Sequence, residues 1–514
     1  MLFTSCAFAE ANGTAGYLTD EPVTLTVMKF AHGLEKVSSP ADLINVKYLC
    51  DTTNIKLDFI TITDGEQMNL AINTNMMPDI FLSCGSETSW DDLGIKGSIL
   101  PLNDLIDEYC PYIQAIFEEM PEAKKAVTAM DGNIYTLPYI VNTGSSTARN
   151  DMIIKNTWLS KLGLEVPETV DEFTDALIAF RDNDMNGNGD PSDEIPFVVQ
   201  DMWALESSLL PWFGELRSDP ANGYFSINKD YQLEKLYETE GYRAFIEYVT
   251  MLYKENLMDP DFFTKSPEEM MSNIYDDRAG SVRYWQNPNA NDLNNWTWMK
   301  PLTSDYQETP LAFGTDMVTG GGWALSSTCK DPVLAMKLAD LMFRPWNDTW
   351  FGISGLFGNN GVEGLDFIIL EDGSNQLTYV DDVPATGEYS NWTWYLGYRG
   401  LGGLNFGLLD NRAIRAKIDP DNTWLIGRYA ILEYDNSVAD RARVLPTSMR
   451  FTVEESERLS IIVTDMNLIK DEQLARFITG KDELNDDTWD AFLESLNNTG
   501  YDEAYDICLA AYER

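Results

Sequence analysis

Histidine is almost missing from this chain, with His32 the only one in 514 residues. A Ser-His-Asp triad, a Cys-His pair or a histidine-based zinc site would have to use that one residue, so much familiar catalysis is hard to build here. His32 follows the first expected strand and is read as an ordinary loop or core residue. Cysteine is scarce too: the six, Cys6, Cys50, Cys84, Cys110, Cys329 and Cys508, include no C-x-x-C pair and no disulfide-framework spacing. The last five read as buried thiols acting as small hydrophobes. Positive charge is also short, with 36 Lys and Arg against 83 Asp and Glu, a net −47 that repels phosphate backbones and anionic lipid and argues against nucleic acid as a partner. After the amino terminus no apolar run approaches the roughly 18 residues of a membrane-spanning helix. G-x-S-x-G, P-loop, G-x-G-x-x-G and H-E-x-x-H motifs are absent.

Apolar residues make up 44% and aromatics 12%, with 14 Trp and 24 Tyr, whereas acidic disordered chains are poor in aromatics. A folded protein is therefore expected, and at about 150 residues per domain its length suits two to four compact units.

Val23, Leu25 and Val27 alternate with Thr24, Thr26 and Met28, the period of a half-buried strand. A helix through Leu43–Cys50, a strand over Lys56–Ile62, a helical stretch to Met77 and a strand at Asp79–Leu82 then complete the opening of an α/β sheet. Thr169 and Glu172 have capping-box spacing before the helical stripe Val170, Phe173, Leu177 and Phe180. Phe245, Val249 and Leu252 mark another helix. Thr452 and Glu455 open a long helix carrying Leu459, Ile462, Val463, Met466 and Ile469, and Gly480 is placed to stop the helix through Leu474, Phe477 and Ile478. The carboxyl third reads as mainly helical. Asn-Trp-Thr-Trp occurs at 295–298 and again at 391–394, a repetition read as chance.

The sharpest local signal is the run from Asp182 to Glu194, where carboxylates and amides on alternate residues around glycines could wrap a hard cation such as Ca²⁺. Two registers fit. One starts at Asp182 and continues through Asp184, Asn186, Gly187 and Asp190 to Asp193; the other uses Asp184, Asn186, Asn188, Asp190, Asp193 and Glu194 with Gly189 at the turn. A solvated Asn/Asp/Gly turn is the plain alternative. At the amino terminus, Phe3-Thr4-Ser5-Cys6 reads as a lipobox with Cys6 as the lipidated residue, and Ala7-Phe8-Ala9 as a rival signal cleavage site. Residues 1–21 are thus expected to be a signal remnant and flexible linker.

Several segments, taken in order, resemble the extracellular solute-binding proteins of carbohydrate ABC importers, the group that includes oligosaccharide- and alginate-binding lipoproteins. They are residues 99–107 (ILPLNDLID), 131–139 (DGNIYTLPY), 158–164 (WLSKLGL), 252–260 (LYKENLMDP), 320–327 (GGGWALSS) and 476–480 (RFITG). The resemblance covers about residues 22–514 and implies an α/β, two-lobe periplasmic-binding-protein-like fold with a hinge and an interlobe ligand cleft. Lobe one would hold 22–139 plus about 320–390, and lobe two 140–319 plus about 391–514. It favours the second register of the acidic loop, because relatives commonly end that run Asp-Glu-Ile-Pro, as at Asp193–Pro196.

A sugar cleft needs flat aromatics and a few hydrogen-bonding side chains. Candidates are Trp203, Tyr284, Trp285, Trp323, Trp394, Tyr395 and Arg399, with Trp285 and Trp394 favoured because they stand in Gly/Asn-rich segments near where relatives line their clefts. Trp212 and Tyr398 are candidates as well. Ser83 and Gly85 follow the third strand at its carboxyl end, where ligands of α/β sheets gather, and Tyr139 stands near the expected hinge. The implied protein is a non-catalytic monomeric receptor, secreted, periplasmic or lipid-anchored on the outer face of the membrane, passing carbohydrate to permease subunits. A secreted two-carboxylate glycosidase and a glycan-binding surface protein without a transporter remain alternatives, although among 83 acids no carboxylate pair singles itself out.

Overall fold

A computed structural model describes residues 18–31, 37–82, 90–141, 150–217, 224–284, 295–314, 318–344, 367–369, 377–379, 407–409, 423–446 and 449–514. Strands in chain order are β1 (Val23–Phe30), β2 (Ile55–Ile62), β3 (Ile80–Leu82), β4 (Leu137–Val141), β5 (Met152–Lys155), β6 (Ile195–Val198) and β7 (Phe225–Ile227). They continue with β8 (Leu233–Lys235), β9 (Ala279–Arg283), β10 (Trp296–Trp298), β11 (Val318–Leu325), β12 (Phe367–Ile369), β13 (Leu377–Tyr379) and β14 (Gly407–Leu409). The chain divides into two compact units, Met1–Thr143 with Met317–Lys417, and Gly144–Asp316 with Ile418–Arg514.

The first unit is built on a six-stranded sheet in the order β14-β4-β11-β3-β1-β2. Its opening is a βαβ unit: β1 runs parallel to β2 with Val23 opposite Ile55, and to β3 with Val27 opposite Ile80. The alternation in β1 does what its period requires, since Leu25 and Val27 face one apolar cluster and Met28 faces another. β11 enters antiparallel between β3 and β4, with Trp323 paired to both Leu82 and Leu137. Helices Asn103–Tyr109, Pro111–Glu119 and Pro332–Asp340 pack together beside it, and Asp340 binds the neighbouring helix start by accepting the N–H groups of Ile113 (2.8 Å) and Tyr112 (3.3 Å). Burial pushes the Asp340 carboxyl up to about 7 despite those donors.

The second unit has a four-stranded mixed sheet in the order β10-β5-β9-β6 and a large helical layer. The expected caps form: Thr169 and Glu172 exchange hydrogen bonds at the start of helix Val170–Arg181, and Thr452 and Glu455 do so for Val453–Ile478. The latter helix ends as expected, with Gly480 at φ 70° two residues beyond it. The carboxyl-terminal helices Val453–Ile478, Asp486–Thr499 and Tyr501–Glu513 are integral to this unit, because Ile462, Met466, Phe477, Phe492 and Tyr501 join one core with Phe173, Trp212 and Tyr242. Trp212 is fully buried there, its ring edge-on to Phe173 at 5.5 Å. Among the described cysteines Cys110 and Cys508 are buried, while Cys50 and Cys329 are only half-buried, which corrects the expectation of uniform burial.

In the second unit the sheet packs tightly against its neighbours at Gly280 in β9. A Cβ there would stand 2.5 Å from the Phe180 ring, 2.9 Å from the Pro196 carbonyl oxygen and 3.0 Å from the Trp158 ring. Both aromatics are buried and edge-on to each other at 5.3 Å, and the carbonyl belongs to the backbone, so Gly280→Ala is expected to cost about 1–3 kcal/mol, read as a lower denaturation midpoint with an unchanged slope.

Candidate functional site

The acidic run Asp182–Glu194 is a tightly self-bonded loop between helix Val170–Arg181 and β6. Asp184 accepts the N–H groups of Gly187 and Gly189, both at positive φ, so glycine there lets the backbone curl around one carboxylate. Asn186 and Asn188 donate their amides to the two oxygens of Asp193 at 3.1 and 2.9 Å, while their own side-chain oxygens accept the N–H groups of Asn188 and Asp190. Asp190 accepts from the Ser192 hydroxyl and N–H, and those bonds hold its carboxyl below the usual range. Glu194 is buried: its Oε1 accepts from Met185 and Asn186, and its Oε2 has no hydrogen-bond partner among the described residues. The carboxylates and amides of the second register are therefore gathered in one loop. Among the described residues, however, no three His, Cys, Asp or Glu side chains converge as a ready metal centre.

A second group lies elsewhere in the same unit. Trp203 is 43% exposed in the first turn of helix Met202–Leu209, whose other residues from Ala204 onward are buried. The Arg283 guanidinium, at the end of β9, lies over the Trp203 ring at 4.6 Å and 3.8 Å from the buried Asp151 carboxylate. Tyr284, half-buried, donates its N–H to the Asp151 carbonyl at 2.8 Å. Asp151 itself adopts φ 51°, a left-handed conformation uncommon for residues other than glycine. Asn150 anchors that step by donating its N–H to Asp435 (2.9 Å) and its amide to the Met299 carbonyl, while its own carbonyl accepts from Ser208.

Asp435, on helix Thr423–Val438, is almost fully buried, and its Oδ1 has no hydrogen-bond partner among the described residues. Burial pushes its carboxyl up to about 7; the Asn150 N–H opposes the rise and the Asp151 charge adds to it.

In the first unit, Tyr139 is half-buried in β4 opposite Thr319 of β11, and burial raises its hydroxyl pKa. Trp323 is buried in the apolar cluster of that sheet. Ser83, Gly85, Trp285, Trp394, Tyr395, Arg399, Tyr398, His32 and Cys6 lie outside the described residues. Of the candidates, the structure gathers the six loop residues with one another; Trp203 stands under Arg283, whereas the side chain of the next residue, Tyr284, packs against the apolar cluster of Ile153, Val198 and Val282. Asn150, Asp151, Arg283 and Asp435 escaped sequence reasoning. One signal was available: Asp435 stands four residues after Ile431 on the buried stripe of its helix, where an acid is unexpected.

A family model for bacterial extracellular solute-binding proteins matches residues 45–347, so the chain belongs to that family. It is an extracellular binding protein rather than an enzyme. No helix among the described residues is long and apolar enough to cross a membrane. The chain is 27% identical over 486 residues, 90% of its own length and 84% of the relative's, to the fructooligosaccharide ABC transporter substrate-binding protein FusA of Streptococcus pneumoniae serotype 4. A solved S. pneumoniae FusA structure in complex with kestose superposes with a TM-score of 0.76 at 23% identity, covering 95% of this chain and 99% of that one. The alginate-binding protein AlgQ2 without calcium ion gives 0.72 at 24%, covering 98% and 100%. These likenesses establish the two-lobed α/β solute-binding fold.

Asp435 makes the stability of this site depend on pH. An aspartate titrates near 3.9 when unfolded, so between about pH 4 and 7 the folded chain holds a proton that the unfolded chain has released. Its contribution to stability is complete at low pH and falls as pH rises through that window, by at most about 1.4 kcal/mol per pH unit. Asp435→Asn, neutral at every pH, is expected to melt higher than the parent at pH 8 and to lose that advantage near pH 4.5, as differential scanning calorimetry at the two pH values would read.

Proposed function

We propose that this protein is the receptor of a carbohydrate importer, capturing an oligosaccharide and presenting it to the transmembrane permease subunits of an ABC transporter. The observation that carries the reading is similarity over nearly the whole chain to a fructooligosaccharide-binding relative. An exposed indole beside hydrogen-bonding side chains supports it, since sugars offer C–H faces and hydroxyl edges. A net charge of −47 favours neutral over polyanionic glycans. Ligand that contacts one conformation better than another shifts the population toward it, and the permease would read that state. Cys6 is the proposed lipid attachment point, supported by the lipobox-like run before it and by the 23% identity over 291 residues to lipoprotein LipO of Bacillus subtilis.

The first test is a thermal-shift screen against neutral oligosaccharides, kestose included, with overnight product analysis. Stabilisation by an intact sugar is the expected result, because ligand that binds only the native state raises its stability by mass action. Cleaved sugar, or no shift with any member, overturns the reading.

Calcium is part of the same proposal. Asp184, Asn186, Asn188, Asp190, Asp193 and Glu194 supply carboxylate and amide oxygens within one loop, and the buried Glu194 Oε2, unpartnered among the described residues, is the sort of acceptor that a hard cation satisfies. When bound, the ion would supply charge that fixes this loop; no chemistry passes through it. Calcium at a hundredfold excess over its dissociation constant is expected to stabilise the parent by about 2.7 kcal/mol, and Asp184→Ala to abolish that effect in the same melting assay.

A further inference from the structure

Helix Met202–Leu209 buries every residue from Ala204 to Leu209 yet leaves Trp203, its largest side chain, 43% exposed. Leaving so large an apolar surface in water forgoes burial that the same helix achieves at the next six positions. The exposure is also organised. The Arg283 guanidinium lies over the indole at 4.6 Å and so occupies one of its faces, while the residue stays 43% exposed. Arg283 is itself mostly buried, and the buried Asp151 carboxylate stands 3.8 Å from it and balances its charge.

Asp151 is held in a left-handed conformation by a step with bonds to four elements: Ser208 of the Trp203 helix, Tyr284 after β9, Met299 after β10 and Asp435 of helix Thr423–Val438. Unusual backbone that its surroundings over-determine is a recurrent property of ligand sites.

We propose that Trp203 is the stacking platform for one ring of a neutral saccharide, and that Arg283 and Asp151 are positioning residues, a charge-balanced strut that holds the indole face outward. The inference rests on the carbohydrate reading above and adds to it a subsite, a ring-stacking mode and the residues that set it. Arg283 occupies one face of the indole, and the Asp151 charge holds the guanidinium there. Because the strut is internally neutral, the platform offers a ligand no net charge, which suits the apolar C–H face of an uncharged ring. A lysine would restore the charge but not the planar stack.

The test uses the full chain and the neutral saccharide that stabilises the parent most in the screen above, with kestose as the first probe. Trp203→Ala is expected to weaken binding by calorimetry about tenfold or more with a melting temperature near the parent's, and Arg283→Ala about fivefold with a lower one, because the buried Asp151 carboxylate loses its counter-charge. Arg283→Lys is expected to recover little of the loss. A second readout separates positioning from general damage: in 5-fluorotryptophan-labelled protein, the ¹⁹F resonance that Trp203→Phe removes should move when saccharide is added. In Arg283→Ala it should already be displaced before any ligand is present. If the parent binds saccharide but Trp203→Ala and Arg283→Ala bind it equally well, the platform is overturned while the receptor reading stands. If the parent binds no saccharide, both fall together.

Discussion

Much of the second unit depends on how one short step of chain, Asn150–Asp151, is held. Its backbone is left-handed at an aspartate, and a carboxylate is buried there against Arg283. Aspartate tolerates that conformation better than most residues, and here surrounding bonds hold it in place. Here the donors and acceptors come from Ser208, Tyr284, Met299 and Asp435, so two helices and the ends of two strands are fixed to one point. The sheet order β10-β5-β9-β6 makes this possible, because β5 begins at Met152, directly after the step, and runs between β10 and β9.

The chain carries a large negative charge, yet several of its acids are buried deep in the structure. Asp340 caps a helix start, Asp435 ties down the Asn150 step, and Glu194 closes the acidic loop. Each lies where backbone N–H groups need an acceptor, so a carboxylate replaces the water those groups would otherwise bind. The cost is visible at Asp340 and Asp435, where burial drives both carboxyls up to about 7. These acids are structural parts, unlike the surface acids that set the protein's field.

The sequence made the frame legible where periodicity and caps act locally. The β1–β2–β3 opening, the capping boxes at Thr169 and Thr452 and the stop at Gly480 all follow from nearest-neighbour chemistry. The acidic loop was legible for the same reason, since its donors and acceptors lie within thirteen residues of one another. The Trp203 site was only partly so. Its aromatics could be picked out as candidates, but Asp151, Arg283 and Asp435 are brought together by sheet pairing and by a helix that starts more than 270 residues beyond Asp151. No single-sequence pattern encodes such a juxtaposition, and an isolated Arg or Asp carries no mark of its partner.

The most direct measurement is a crystal structure grown with the neutral oligosaccharide that binds most tightly. The account predicts an intact saccharide with the C–H face of one ring against the open face of Trp203, and Arg283 still stacked on the other. A saccharide bound elsewhere with Trp203 left in solvent, or density for a hydrolysed product, would contradict it.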